Sequence, residues 1–269
     1  MVVRNFLNSF ILKKPFWYSL GLDSLFVFFM AVLYAQLLAW SKRTLISLTG
    51  SNPEFLQQRM LKMAPEQIVH LGQDLQAFLA FFMLGILVLL AVSLLLFSLA
   101  QALEWNYLLK KRLSQNWYWR WNALHLILVM PIVGYLVLMA FSQFLFTGLL
   151  GLFIREEQLL AFLSQFFIMF LLLFLSIIFF AVQLRFAQHY QAFQSMGRGI
   201  LLITKKWKQL WPALLLMVAI ALVLSVQYSY FVRFLALSEL VLMGIKIFLS
   251  LLFIAWMRVY FVSIVHGTN

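Results

Sequence analysis

The chain of 269 residues contains no cysteine, and charged residues make up only 10% of it. The lack of cysteine excludes disulfides, metal sites built on thiolates and cysteine nucleophiles. Soluble domains carry about 25% charged and about 45–50% apolar residues, whereas this chain is 65% hydrophobic. Because a soluble fold cannot bury so much apolar surface, the composition indicates that lipid is the solvent.

Sequence motifs of the common catalytic sites are also missing. The chain has no His-Glu-x-x-His, no Gly-x-Ser-x-Gly and no glycine-rich phosphate loop. Its four histidines do not have the spacing of metal ligands; they are His70, His125, His189 and His266. We therefore expect a protein that is not an enzyme, that holds no metal or cofactor and that has no nucleic-acid partner.

Six long apolar runs account for most of the chain. A helix that crosses a bilayer needs about 20 apolar residues, and the runs lack the alternation of polar and apolar residues that barrel strands show. Backbone groups in hydrocarbon must be paired within a helix or a closed barrel. The sequence therefore predicts an all-α bundle of six transmembrane helices in one membrane domain, residues 1–269, with spans near 16–40, 77–103, 121–147, 159–184, 211–232 and 240–262.

The segments outside these runs differ in charge. The N-terminus, the connectors after the second and fourth runs, and the C-terminus together carry thirteen cations and one anion, Glu104, whereas the other connectors carry six of each. Lys and Arg accumulate on the cytoplasmic side of short loops, which is the positive-inside rule. The pattern predicts a multi-pass protein of the cell membrane with both termini in the cytoplasm. Trp117, Trp119 and Trp121 are predicted to lie at headgroup depth.

A basic pair precedes every odd-numbered span. The pairs are Lys13 and Lys14, Lys110 and Lys111, and Lys205 and Lys206, and each is followed by aromatic residues and then by a span. Self-similarity at a fixed period indicates a repeated unit, here three helical hairpins. The positive-inside rule alone also places cations before each odd span, so true duplication and convergent anchoring both remain open.

We predict that these basic clusters bind anionic lipid headgroups on the inner side. Each cation near an anionic leaflet contributes about 1 kcal/mol. The competing interpretation is that the cations direct insertion and have no later role. The predicted headgroup residues are Lys13, Lys14, Lys110, Lys111, Arg112, Lys205 and Lys206.

Two segments outside the spans are predicted to form short amphipathic helices. In residues 192–211 apolar side chains recur every three or four positions, which is typical of a helix in the headgroup plane or of a loop helix packed on its own bundle. In the outer connector 41–76, Pro53 and Pro65 stand at the first positions of two predicted helices, the second continuous with span two. This connector is the candidate docking surface for a membrane-protein partner; a structural lid is the alternative.

Ionisable residues inside a membrane are candidate functional sites. Asp23 lies about two turns into span one, and its predicted partners at the same level are His125, Arg185 and Arg258. A proton or cation relay and a structural ion pair are both consistent with Asp23, and the structural pair is preferred because a buried carboxylate needs a partner. Lys246, in span six, is predicted to extend to the outer headgroups.

One stretch resembles a known family element. "AFQSMGRGILLITKKWKQLWPALLLMVAIALVL" is similar to the repeating element of six-helix prokaryotic membrane families, including the membrane domain attached to some glycerophosphodiester phosphodiesterases. The shared pattern is an Ala-Phe start, a small residue, a basic pair, an aromatic residue and a Leu-rich span. The resemblance implies a six-helix membrane domain. The hydrolase activity of that family lies in a separate soluble domain, so no functional residue carries over.

The sequence leaves two functional classes open. The first is a non-enzymatic integral membrane protein that acts as a scaffold, a complex subunit or a lipid-organising factor. The second is a transporter of small solutes or lipids that uses a polar path near Asp23 and a kink at Pro131. A polar cavity that reaches the middle of the membrane would favour transport, and a tightly packed bundle would favour the first class.

Overall fold

Six helices make up almost all of the computed structural model, which describes residues 14–50, 61, 63–111, 116–234 and 238–266. No strand occurs in these residues. The helices are α1 Lys14–Thr49, α2 Pro65–Leu108, α3 Trp117–Phe153, α4 Glu157–His189, α5 Ala192–Phe234 and α6 Glu239–His266. All six are long and apolar enough to cross a membrane. The predicted all-α bundle of six transmembrane helices is therefore confirmed.

Every helix is longer than its predicted span. The helices contain 28 to 44 residues, which at about 1.5 Å per residue exceeds the hydrocarbon thickness of about 30 Å. The apolar runs mark the middle of each helix, and polar residues continue the same helices beyond it. α2 begins at Pro65 with Glu66 in its first turn, as predicted. The expected short helix near Pro53 lies outside the described residues.

The described residues fall into two compact units. One contains α1 up to Ser24 and the chain from Ser98 onward, and the other is Leu25–Phe97. Each unit is described separately below. The single domain over residues 1–269 stays a prediction.

The Leu25–Phe97 unit pairs parts of α1 and α2 through aromatic rings. Trp40 faces Phe78 with ring centroids 6.0 Å apart, and Phe26 faces Phe97 at 5.6 Å. Most other large apolar side chains in this unit are exposed, as expected for surfaces in contact with lipid; examples are Phe28, Phe81 and Leu87.

In the other unit, α4 and α5 form a closely packed antiparallel hairpin. The chain reverses at Tyr190, which adopts a left-handed conformation with φ 54° and donates its backbone N–H to the Phe186 carbonyl. A Cβ atom on Gly199 would lie 2.9 Å from both Cα and N of Val182. Gly199 therefore permits a backbone approach that no other residue allows, as small residues do at interfaces of membrane helices.

The segment 192–211 is not a separate helix. It runs without a break into the fifth span as part of α5, with Pro212 inside the helix. Ser195, Gly199, Leu202, Ile203 and Leu210 form its buried face. The predicted apolar stripe therefore holds only in part, because Phe193, Ile200 and Trp207 are exposed. These exposed residues remain available for contact with lipid.

Candidate functional site

The most buried polar feature is a charge cluster formed by Ser19, Asp23, Glu104 and Arg258. Nη1 of Arg258 forms an ion pair with Glu104, lies 3.2 Å from Oδ2 of Asp23 and donates to Oγ of Ser19 at 2.5 Å. The relative exposure of Arg258 is 2%, of Glu104 0% and of Asp23 7%. The cluster connects α1, α2 and α6, because each helix supplies at least one member.

Ser19 and Glu104 are the members that the sequence did not predict, and Glu104 is the charged one of the two. It directly follows the predicted second span and was assigned to a basic connector, but the last turn of α2 carries it into the core. Ser19 donates to its Oε1 and Gln101 donates to its Oε2, both at 3.0 Å. The available signal was the spacing of Ser98, Gln101 and Glu104, which places three polar residues on one helix face at intervals of three.

Of the three partners predicted for Asp23, the structure places Arg258 beside it. His125 and Arg185 bond elsewhere: Nη1 of Arg185 donates to Oε1 of Gln188 at 2.8 Å. The guanidinium of Arg258 also lies 5.6 Å from the ring centre of Phe180, within the range of a cation–π contact. Truncation of one side chain of the cluster would leave a buried charge without a partner, which is strongly destabilising. The cluster therefore has the properties of a structural contact that holds the helices together.

A second polar network involves Trp105, Gln183, His125 and Ser98. Nε1 of Trp105 donates to Oε1 of Gln183 at 2.8 Å, and the amide nitrogen of Gln183 lies 3.1 Å from Nε2 of His125. Nδ1 of His125 lies 2.8 Å from Oγ of Ser98. An indole N–H can only donate, so it fixes the orientation of the Gln183 amide. The amide then donates to Nε2, which places the His125 proton on Nδ1.

An open pocket of about 850 Å³ lies where the N-terminus of α1 meets the C-terminus of α2. We call it the basic pocket. Among the described residues, its lining has three lysines and no carboxylate and comprises Lys14, Pro15, Tyr18, Leu103, Asn106, Tyr107, Leu108, Lys110 and Lys111. The rings of Tyr18 and Tyr107 stack with centroids 4.1 Å apart. The pocket therefore combines cations with apolar and aromatic surface.

The walls of the basic pocket are held by the fold. Asn106 is fixed because its side-chain nitrogen donates to the Ala102 carbonyl at 2.6 Å and its oxygen accepts from Tyr190 at 2.8 Å. Nζ of Lys111 donates to the carbonyls of Gln188 at 2.9 Å and Ala187 at 3.4 Å, at the C-terminus of α4. A cation is favourable there because of the helix dipole. Lys111 retains one further N–H for another acceptor.

The other predicted headgroup residues are distributed differently. Lys13 and Arg112 lie outside the described residues. Lys205 and Lys206 lie on α5 and do not line the basic pocket. Of the predicted headgroup-depth tryptophans, Trp119 is exposed, Trp117 is partly buried and Trp121 is fully buried. Trp121 packs its ring edge-on against Phe186 in the core, so it does not face lipid, and its depth in the membrane stays a prediction.

Among the described residues, no group of His, Asp or Glu side chains is placed to hold a metal ion. Comparison with family models, curated proteins and solved structures gives no match for this chain. Six candidate membrane-spanning helices identify it as an integral, multi-pass membrane protein.

Proposed function

We propose that this protein is a non-enzymatic, lipid-organising membrane protein that binds anionic lipid headgroups in the basic pocket. The observation that carries the proposal is the convergence of Lys14, Lys110 and Lys111 on one open pocket without a carboxylate. Two basic clusters that are far apart in sequence thus contribute to one site. The absence of catalytic motifs from the sequence supports a role without chemistry.

The pocket matches the two parts of a phospholipid. Its lysines offer N–H donors to a phosphate, while Pro15, Leu103 and Leu108 offer apolar contact to the glycerol and the first methylene groups. A volume of about 850 Å³ is large enough for a headgroup, since small-molecule sites occupy about 300–1,000 Å³. Each cation contributes about 1 kcal/mol near an anionic surface, so three cations favour anionic over zwitterionic lipid.

The proposal includes the orientation of the chain. The thirteen cations of one set of connectors support a cytoplasmic position for the basic pocket. Arg258 and Glu104 belong to this set, and their pairing inside the bundle leaves its net charge unchanged. The pocket would then face the leaflet in which anionic lipids are concentrated.

Transport is the second candidate function. It is favoured by the number of buried polar side chains, which include Asp23, Glu104, Gln183 and His125. Against it, these groups bond mainly to one another or to neighbouring side chains of the bundle. Ion or solute flux into proteoliposomes that requires Asp23 would favour transport over the lipid-organising role.

Native mass spectrometry of the purified protein in detergent tests lipid binding. The test variant is Lys14→Gln, Lys110→Gln, Lys111→Gln. The control is Arg120→Gln, Arg198→Gln, Lys208→Gln, which removes the same charge from exposed positions of α3 and α5 outside the pocket and outside the predicted headgroup residues. We expect the parent and the control to retain anionic phospholipid and the pocket variant to lose most of it. Equal retention in both triple variants, or equal retention of zwitterionic lipid, contradicts the proposal.

A further inference from the structure

A second pocket lies among α4, α5 and α6, in their parts remote from the basic pocket. Its volume is about 310 Å³, and Leu173, Ala221, Leu224, Leu249 and Phe253 form much of its apolar wall. Among the described residues that line it, Lys246 is the charged one. We call it the Lys246 pocket.

Lys246 has an unusual environment for a cation. It lies seven residues after Glu239, the first residue of α6, which corresponds to about 10 Å along the helix axis. The helix is a candidate membrane span over this region. Among the described residues, no carboxylate lies within ion-pair distance of Lys246; the salt bridges there both involve Arg258. An ionisable residue at such a position is a candidate functional site whose partner has to be identified.

The hydroxyl groups of the pocket are already used by the fold. Tyr228 donates its hydroxyl to the Leu242 carbonyl at 3.1 Å, which connects α5 to α6, and Ser250 donates to the Lys246 carbonyl at 2.8 Å. These groups shape the pocket and leave the ammonium of Lys246 as its charged donor. The pocket therefore presents one positive charge beside a small apolar groove.

We propose that the Lys246 pocket binds a long-chain fatty acid, with its carboxylate on the Lys246 ammonium and part of its acyl chain along Leu224, Leu249 and Phe253. One cation matches one carboxylate, and the groove, at about 310 Å³, suits a single chain better than a two-chain phospholipid. Sites of this type are mostly apolar with few polar groups that fix orientation. The ligand supplies the counter-charge that the described chain does not provide.

Binding of labelled oleic acid to the purified protein tests this inference. The test variant is Lys246→Met, which keeps the length of an exposed side chain and removes the charge. The control is Lys42→Met, an exposed lysine of α1 in the other compact unit. A second variant, Ala221→Phe, narrows the groove without changing the charge.

We expect the parent and Lys42→Met to bind one oleate per chain. The Lys246→Met variant should bind at least about tenfold more weakly, since a hydrogen bond to a charged group is lost. Ala221→Phe should also weaken binding, and oleyl alcohol should compete poorly. Undiminished binding by Lys246→Met or equal competition by oleyl alcohol overturns the inference. The fatty-acid site and the proposed lipid site are tested with different variants. Failure of the fatty-acid proposal is therefore distinguishable from failure of the proposed lipid binding in the basic pocket.

Discussion

Glu104 of α2 and Arg258 of α6 form an ion pair inside the bundle, with relative exposures of 0% and 2%. Ser19, Gln101 and Asp23 complete the polar surroundings of the pair. These contacts join α1, α2 and α6 at one level. The walls of the basic pocket depend on this arrangement, because Tyr18 and Leu103 directly precede Ser19 and Glu104.

Removal of the Glu104 carboxylate and removal of the Asp23 carboxylate should lower the stability of the fold by different amounts. Glu104→Gln leaves Arg258 with Asp23 alone, at 3.2 Å, and should destabilise the fold by about 1.5–3 kcal/mol, as loss of a buried hydrogen bond to a charged group does. Asp23→Asn should cost much less, because the closer pair with Glu104 remains and an excess carboxylate is removed. Thermal unfolding in detergent measures both. Equal losses for the two variants would show that Arg258 depends on both carboxylates alike.

The contact between Gly199 and Val182 gives a second prediction. Gly199→Ala should destabilise the protein by about 1–3 kcal/mol, because the new Cβ meets the backbone of Val182 at 2.9 Å. Gly197→Ala is the matched control on the same helix, since its Cβ would meet nothing within 4 Å. That variant should be neutral or stabilising by up to about 1 kcal/mol. Similar melting temperatures for both variants would contradict the close approach.

The sequence predicts the six helices well because a bilayer imposes a length and a composition that are visible in the apolar runs. It predicts the helix ends less well. α1 continues to Thr49 and α2 to Leu108. These ends lie beyond the apolar runs, where the side chains of a membrane helix no longer have to be apolar. Gly50, with φ 84°, follows the end of α1 and donates to the Ile46 carbonyl, a helix stop of a recognisable kind.

The buried charges were predictable only in part. Asp23 was assigned a partner correctly because it lies inside an apolar run, where a charge has to be paired. Glu104 was assigned to a loop because it directly follows such a run, and helix continuation beyond the run is not visible in hydropathy. The burial of Trp121 was missed for a related reason: its position near the membrane boundary says nothing about which face of α3 packs against α4.

The hydrogen-bond network of His125 gives a third prediction. We expect the neutral ring with its proton on Nδ1, because Trp105 orients the Gln183 amide toward Nε2. Nitrogen-15 spectra of protein labelled at histidine identify the tautomer, and loss of the signal in His125→Phe assigns it. Gln183→Leu should release this preference and destabilise the fold by about 1–3 kcal/mol, because the Trp105 N–H loses its acceptor. A proton on Nε2 in the parent would contradict the network.

The orientation of the chain gives a fourth prediction. Gln191 and Ser238 are exposed and lie in the connectors before α5 and α6. Since the chain has no cysteine, Gln191→Cys and Ser238→Cys each introduce one thiol without background. A membrane-impermeant reagent added to intact cells should label Ser238→Cys only, and Gln191→Cys should react after the membrane is opened. The reverse pattern would contradict cytoplasmic termini.

If the basic pocket holds an anionic lipid in the cell, photo-crosslinking from inside the pocket should capture that lipid. A photoreactive phenylalanine analogue replaces Tyr107, a partly exposed residue of the pocket lining, and in a control it replaces Tyr34, an exposed residue of α1 in the other compact unit. After irradiation of living cells, mass spectrometry identifies the attached molecule. We expect anionic phospholipid attached at Tyr107, enriched over its average share of the membrane, and lipid in the average proportions of the membrane at Tyr34. A protein adduct at Tyr107, or the same lipid distribution at both positions, would contradict it.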